Sequence, residues 1–109
     1  MSTRDFKTLE IARRGPVLAG TLNRPKRLNA MNSRMVAELR EVATILEEER
    51  SLRALFLDGA GASFCSGADL KELREAARDV DTLTEISLAF GHMLVRLAQA
   101  PALVVAVVH

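Results

Sequence analysis

Apolar and polar positions along this chain recur with periods that predict seven elements. Thr8 to Ala12 and Val17 to Leu22 are short β-type runs separated by Arg13-Arg14-Gly15-Pro16, whose residue types suit a hairpin turn. Pro16 sits awkwardly there if the second strand is central, because proline cannot donate to a ladder. Asn23 to Asn32 holds Pro25 and three asparagines without a sustained period and predicts a loop. Asn32 or Ser33 can then cap a helix in which Met35, Val36, Leu39, Val42, Ala43 and Leu46 recur at steps of three and four. Arg34, Glu38, Arg40, Glu41 and Glu47 fall on its other face, so the helix is expected to cover a sheet with its apolar stripe. Glu47-Glu48-Glu49-Arg50 reads as a solvated helix end, since acids there oppose the helix dipole.

Arg53 to Asp58 is a near-continuous apolar run, as in a strand buried on both faces. Gly59-Ala60-Gly61 offers a turn, and the stretch Ala62 to Leu73 reads as a tight loop opening into a helix at about Asp69 and running to about Arg78. Asp79-Val80-Asp81-Thr82 breaks that pattern and supplies caps for a further helix carrying Leu83, Ile86, Phe90, Met93, Leu94 and Leu97, closed by Pro101. Leu103 to Val108 is a second buried-strand run. The order strand, strand, helix, strand, helix, helix, strand predicts an α/β layer, in which sites tend to lie beyond the carboxyl ends of strands.

Composition narrows the class. A length of 109 residues allows one small domain, and 49% hydrophobic with 27% charged residues is ordinary for a globular protein. The net charge of +1, with 15 basic residues interleaved among 14 acidic ones and no Trp or Tyr, argues against a nucleic-acid groove. No apolar run reaches the roughly 20 residues of a membrane-spanning helix, and Met1 to Gly15 lacks the apolar core of a secretory signal. The single Cys65 makes no internal disulfide, which fits a cytoplasmic, reducing setting. Cys65 reads as a small buried residue, His92 as a packed or surface histidine, and two His with one distant Cys predict no metal site.

The loop Ser66-Gly67-Ala68-Asp69-Leu70 lies beyond a strand end and before a helix. Backbone N–H groups near Ala68 and Asp69 could there face negative charge, and the small residues allow a ligand carbonyl to approach. The same spacing also describes an ordinary strand-to-helix connection with Asp69 as its cap.

Two longer motifs separate these readings. Phe64-Cys65-Ser66-Gly67-Ala68-Asp69-Leu70-Lys71-Glu72 resembles the oxyanion-hole signature of the crotonase family, the enoyl-CoA hydratase/isomerase superfamily. Leu22-Asn23-Arg24-Pro25-Lys26-Arg27-Leu28-Asn29-Ala30-Met31-Asn32 resembles its upstream CoA-contacting segment. The likeness covers roughly residues 6 to 109 and corresponds to the N-terminal portion of such a protein. It implies a partial crotonase-like ββα superhelix lacking the C-terminal half, residues 1–109 forming the N-terminal part of an acyl-CoA-binding domain. It implies further that the Ala68 N–H is a backbone oxyanion donor, that Gly67 permits close approach, and that Ser66, Asp69, Leu70 and Lys71 flank the bound acyl-CoA. Lys26, Arg27 and Leu28 would hold the nucleotide and pantetheine portions. Coenzyme A would enter as part of the substrate, with no separate cofactor, and the full-length form would assemble as a homo-oligomer, a trimer or hexamer.

In the family the second oxyanion donor and the acid/base glutamates come after the segment matching Val108-His109, so this chain alone is expected to be inactive, a truncated enzyme. Among its own acids Asp58, Asp69 and Glu72 lie nearest the motif, and no pair has a spacing that singles it out as a substitute. The competing reading is a non-catalytic acyl-CoA-binding or interaction module. Hydratase, isomerase and other crotonase chemistries are not distinguished by the residues present, because fold does not fix chemistry.

Overall fold

The computed structural model describes residues 5–109; the first four residues of the Met1–Gly15 stretch, screened above for a targeting signal, lie outside the described residues. Strands β1 (Leu9–Arg14) and β2 (Val17–Leu22) form an antiparallel hairpin, with Leu9 opposite Leu22 and Arg14 opposite Val17. The turn is Gly15-Pro16 alone, two residues shorter than expected, and Gly15 adopts a φ of +57° that glycine takes without steric cost. Pro16 precedes the ladder, and its carbonyl accepts from the N–H groups of Arg53 and Ala54 at 2.7 and 3.3 Å. Its missing donor therefore costs β2 nothing. β2 pairs in parallel with β3 (Ala54–Gly59), and β3 in parallel with β4 (Leu103–Ala106), giving the sheet order β1-β2-β3-β4.

Helix α1 (Ser33–Glu48) starts where Asn32 Oδ1 accepts from the Met35 N–H at 2.9 Å. All six apolar positions expected from its period are buried, together with Ile45, in one cluster with Leu9, Leu18, Leu22, Leu55 and Leu57 of the sheet. Each such aliphatic side chain contributes roughly 1.5 to 3 kcal/mol on burial, which makes this layer the main source of stability. Helix α2 (Leu70–Ala76) is capped by Asp69, and helix α3 (Val80–Ala98) by Asp79, whose carboxylate accepts from the Asp81 N–H and the Thr82 hydroxyl. Met93 and Leu97 of α3 join the core. α2 and β4 stop two residues short of the bounds expected at their carboxyl ends, and α3 ends at Ala98, between its last periodic residue Leu97 and Pro101.

The side chains depart from the period-based expectation in several places. Glu38 is not on a solvated face: its side chain is 4% exposed. Its carboxylate accepts from the Lys7 N–H, the Thr8 N–H, the Thr8 hydroxyl and Arg34 Nε, at 2.7 to 2.8 Å. Burial pushes the Glu38 pKa up, but the donors from Lys7, Arg34 and Thr8 outweigh it and hold the group below its ordinary 4.5. The acidic end of α1 is also tied down, with Glu47 paired to Arg96 at 2.7 Å and Glu49 to Arg13 at 3.3 Å. β3 and β4 are not buried on both faces. Leu55 and Leu57 face α1, whereas Phe56 is 44% exposed and Leu103 is open. A continuous apolar run does not say how many faces are covered, and α1 covers one. Finally, the Asn23–Asn32 loop contains a short 3-10 turn, Pro25–Arg27, with proline at its start where its fixed φ is suited.

Candidate functional site

The site is built where two loops cross beyond the carboxyl end of β3. Gly59 ends that strand, and a Cβ there would lie 2.4 Å from the Phe64 carbonyl oxygen and 2.7 Å from that of Ser63. Glycine is thus required for the chain to fold back so closely. The 59–64 loop is fastened to the upstream loop by Asn29, which is fully buried. Its Nδ2 donates to the carbonyls of Ala60 and Ser63 at 2.9 and 2.8 Å, and its Oδ1 accepts from the Arg24 N–H at 2.8 Å. Asn29 and Leu28 reach these positions with φ of +56° and +51°. Asparagine tolerates that conformation; for leucine it is a strained backbone held by its surroundings.

The two motif segments then lie side by side. The Ser66 N–H donates to the Leu28 carbonyl at 3.0 Å, the Met31 N–H to the Gly67 carbonyl at 2.8 Å, and the Asp69 N–H to the Met31 carbonyl at 3.0 Å. The Gly67 N–H reaches Cys65 Sγ at 3.4 Å, and Cys65 is half-buried rather than buried. Ala68 is skipped: it is exposed, and its N–H has no hydrogen-bond partner among the described residues. Gly67 just before it has a φ of +110° and nothing within 4 Å of where a Cβ would be, so glycine here serves the backbone path and leaves open space beside Ala68.

Asp69 holds this arrangement rigid. One carboxylate oxygen accepts from the Glu72 N–H at 3.1 Å, and the other accepts from Arg24 Nη2 at 3.1 Å. Arg24 also donates to the Ala30 carbonyl. The side chains are only 18% and 15% exposed for Arg24 and Asp69. The Glu72 N–H, then the Arg24 guanidinium, keep the Asp69 carboxyl below its ordinary 3.8 against the opposing effect of burial. Asp69 is therefore a charged cap locked to the upstream loop. With seven residues, α2 has little dipole to add to this arrangement.

Two clefts open on either side of Ala68 and Asp69, both of which line each of them. The first, about 320 Å³, is largely apolar and lies among α1, α2 and α3, where Val36, Ala37, Leu73, Ile86, Ala89 and Phe90 face it. The second is shallower, about 510 Å³, and brings together Arg27, Lys71 and Arg74 around Ser66 and Leu70. Of the residues singled out from the sequence, Arg27, Ser66, Ala68, Asp69, Leu70 and Lys71 thus converge on one cleft. Lys26, Leu28 and Gly67 stand beside it without lining it. Arg74 was missed, although its place one helical turn beyond Leu70 and Lys71 would have suggested it. Arg24 was missed as the partner of Asp69, because nothing in the spacing joins residues 45 apart. Glu72 lines the apolar cleft, but both its oxygens are engaged, accepting from the Ser33 N–H at 3.0 Å and the Ser33 hydroxyl at 2.8 Å. Asp58 lines neither cleft.

Comparison with known proteins sets this geometry in context. The family model described as Enoyl-CoA hydratase/isomerase matches residues 13–109. A 1,2-epoxyphenylacetyl-CoA isomerase of Escherichia coli (strain K12) is 46% identical over 56 residues, covering 51% of this chain and 21% of that protein. A short-chain-enoyl-CoA hydratase of Clostridium acetobutylicum is 41% identical over 72 residues, covering 65% and 28%. Among solved structures, Pseudomonas aeruginosa AtuE superposes with a TM-score of 0.90 at 41% identity, covering 94% of this chain and 40% of that one. An enoyl-CoA hydratase of Mycobacterium smegmatis gives 0.89 at 35% identity, with coverage of 94% and 40%. The chain thus spans under a third of the length of the curated relatives it matches and about 40% of the solved ones.

Proposed function

Because the chain belongs to the enoyl-CoA hydratase/isomerase family, we propose that its two clefts bind one acyl-CoA molecule, with the thioester carbonyl against the Ala68 N–H. The observation that carries this is the unpartnered Ala68 N–H at the junction of an apolar cleft and a basic one. An acyl-CoA has the matching polarity, with an apolar acyl chain on one side of the thioester and phosphates on the other. The acyl chain lies among α1, α2 and α3. The phosphates lie towards Arg27, Lys71 and Arg74, with Lys26 beside them, while Leu28 and Ser66 border the pantetheine path.

The chemistry follows from charge. When a proton leaves the carbon beside a thioester, negative charge builds on the carbonyl oxygen. A fixed donor aimed at that oxygen in a water-poor site lowers the barrier by about 3 to 4 kcal/mol, because it needs no reorganisation as the charge forms. The Ala68 N–H is exposed in the free chain and becomes such a donor once bound acyl-CoA covers it, held in place by the Gly67 and Asp69 bonds to Met31. Proton transfer requires an acid/base group. Glu72 is committed to Ser33, so the 109 residues serve binding and polarisation, and the resemblance assigns the second donor and the glutamates to sequence after position 109. Addition of water or a double-bond shift on an enoyl-CoA is accordingly a property of the complete protein, as is assembly into a trimer or hexamer. A cytoplasmic setting is consistent with the single cysteine.

Isothermal titration tests the binding claim. Butyryl-CoA is expected to bind the chain. Replacing Arg27, Lys71 and Arg74 together by Ala should weaken butyryl-CoA at least tenfold while leaving butyryl-pantetheine, which lacks the nucleotide phosphates, within twofold. Equal weakening of both ligands, or no binding of either by the wild-type chain, would overturn the assignment.

A further inference from the structure

Helix α3 carries a second apolar face that the fold leaves unused. On its inner side Met93, Leu97 and Ala89 pack on the core, and Ile86 and Phe90 line the apolar cleft. On the opposite side Thr84, Leu88, Gly91, Val95 and Ala98 follow one another at alternating steps of four and three. All five are exposed, Leu88 by 68% and Val95 by 49%, and none of them lines either cleft. That alternation is the period of a seam between two supercoiled helices. A helix at a free surface carries polar residues on its outer side, whereas one that is apolar on both sides belongs in an interior. The Thr84 hydroxyl donates to the Val80 carbonyl at 2.8 Å, so it brings no unsatisfied donor to the seam.

We propose that this seam pairs with a second copy of the chain, the two α3 helices packing antiparallel about a two-fold axis midway between Leu88 and Gly91. Shape and charge both point to that occupant. With the axis there, Leu88 of each helix falls opposite Gly91 of the other, and Thr84 opposite Val95. Nothing lies within 4 Å of where a Gly91 Cβ would stand, so the glycine leaves a hollow that admits a leucine side chain and lets the axes approach closely. Glu85 and His92 flank the seam on one side, Ser87 and Leu94 on the other. In an antiparallel pair like flanks meet, so Glu85 of each chain lies beside His92 of its partner, twice over. An imidazole donates to a carboxylate whether it is neutral or charged. In a parallel pair Glu85 and His92 would face Ser87 and Leu94 instead, and the two opposite groups would not meet. Arg96, behind this flank, stays with Glu47. Asp81 falls opposite Ala98 and marks the end of the seam. The 19 residues of α3 are about 28 Å long. A contact of that length and one helix width falls below the roughly 800 Å² per partner of a standard interface, so the dimer is weak and forms at about 0.1 mM. The seam lies on the side of α3 away from both clefts, and the inference does not depend on the acyl-CoA reading.

Sedimentation equilibrium of the full chain, from about 0.01 to about 1 mM, tests the pairing, because mass action makes a weak dimer concentration-dependent. The mass is expected to rise from 11.9 kDa towards twice that value. Leu88→Glu, which puts a charge into the seam, should weaken dimerisation at least tenfold. Glu85→Lys should weaken it about fivefold, and adding His92→Glu should recover most of that loss, a rescue specific to the antiparallel register. Phe56→Ser, on the exposed face of the sheet, should leave the dimer within twofold of wild type. Leu88, Glu85 and His92 are all exposed in the single chain, and melting of each variant reports that it is folded. A chain that stays monomeric at the highest concentration, or one that tends to three times the monomer mass, would overturn the proposal. So would a dimer that Leu88→Glu leaves intact, that Phe56→Ser abolishes, or that the exchange of charges fails to restore.

Discussion

Replacing Asp69 by Asn isolates the ion pair that locks the two motif segments together. The variant can keep the cap, since an amide oxygen can still accept from the Glu72 N–H now 3.1 Å from the carboxylate. The other oxygen becomes an NH2 facing Arg24 Nη2, so a 3.1 Å charge-assisted bond turns into two opposed donors. With both side chains less than a fifth exposed, solvent screens little of the loss. Leaving a buried charged donor unsatisfied costs about 1 to 3 kcal/mol, and Arg24 keeps its bond to Ala30, so about 2 kcal/mol is expected. Asp69→Ala removes the cap as well, which adds about 1 kcal/mol. Urea unfolding reads these differences directly, and a double-mutant cycle with Arg24→Gln should give a coupling of about 1 to 2 kcal/mol. The pH dependence has a definite sign. Because the Asp69 carboxyl is held below its ordinary 3.8, its contribution is complete above that pH and is lost as pH falls through the lower folded value. The gap between wild type and Asp69→Asn should therefore be constant near neutrality and close below pH 3.8. An Asp69→Asn chain within 0.5 kcal/mol of wild type at neutral pH would refute the claim that this pair holds the site.

Glu38→Gln should be among the most destabilising single changes, by about 2 to 5 kcal/mol in urea, since one of its two donor pairs, from Thr8 or from Lys7 and Arg34, loses its acceptor; in wild type the same contribution should fade as pH falls below 4.5. Gly59→Ala is predicted to cost at least 1 to 3 kcal/mol and to shift the amide resonances of Ser63 and Phe64, because its Cβ would overlap backbone atoms rather than a movable side chain. Arg40→Met should melt at or above the wild-type temperature, as it removes a buried unpaired donor and keeps the apolar stem; a fall of several degrees would show that the guanidinium contributes to the fold.

The element order and the apolar face of α1 were legible because period and capping are local properties, and Asn32, Asp69 and Asp79 each cap the helix expected of them. That both motif segments flank one ligand was implied only by resemblance, and their crossing was not read at all, since Asn29 and Ser63 are 34 residues apart and their bond leaves no mark in local spacing. Glu38 was misplaced for a related reason. A charged residue on a helix is assigned to the solvated side unless its partners are known, and the Lys7 and Thr8 donors come from a segment 30 residues upstream. Arg40 was missed in the same way, as a cation counted on a polar face that α3 comes to cover. Phe56 shows the limit of hydrophobicity itself, because an apolar strand states that it can be buried and not what buries it.

The central claim is that the Ala68 N–H meets the thioester carbonyl of an acyl-CoA. Proton–nitrogen correlation spectra of the labelled chain, titrated with butyryl-CoA and separately with free coenzyme A, measure this at the atom concerned. The Ala68 amide proton is expected to move downfield as it gains an acceptor from butyryl-CoA and to stay in place with free coenzyme A, while Arg27 and Lys71 respond to both. A saturating titration in which Ala68 does not move, or moves equally with free coenzyme A, would contradict the account.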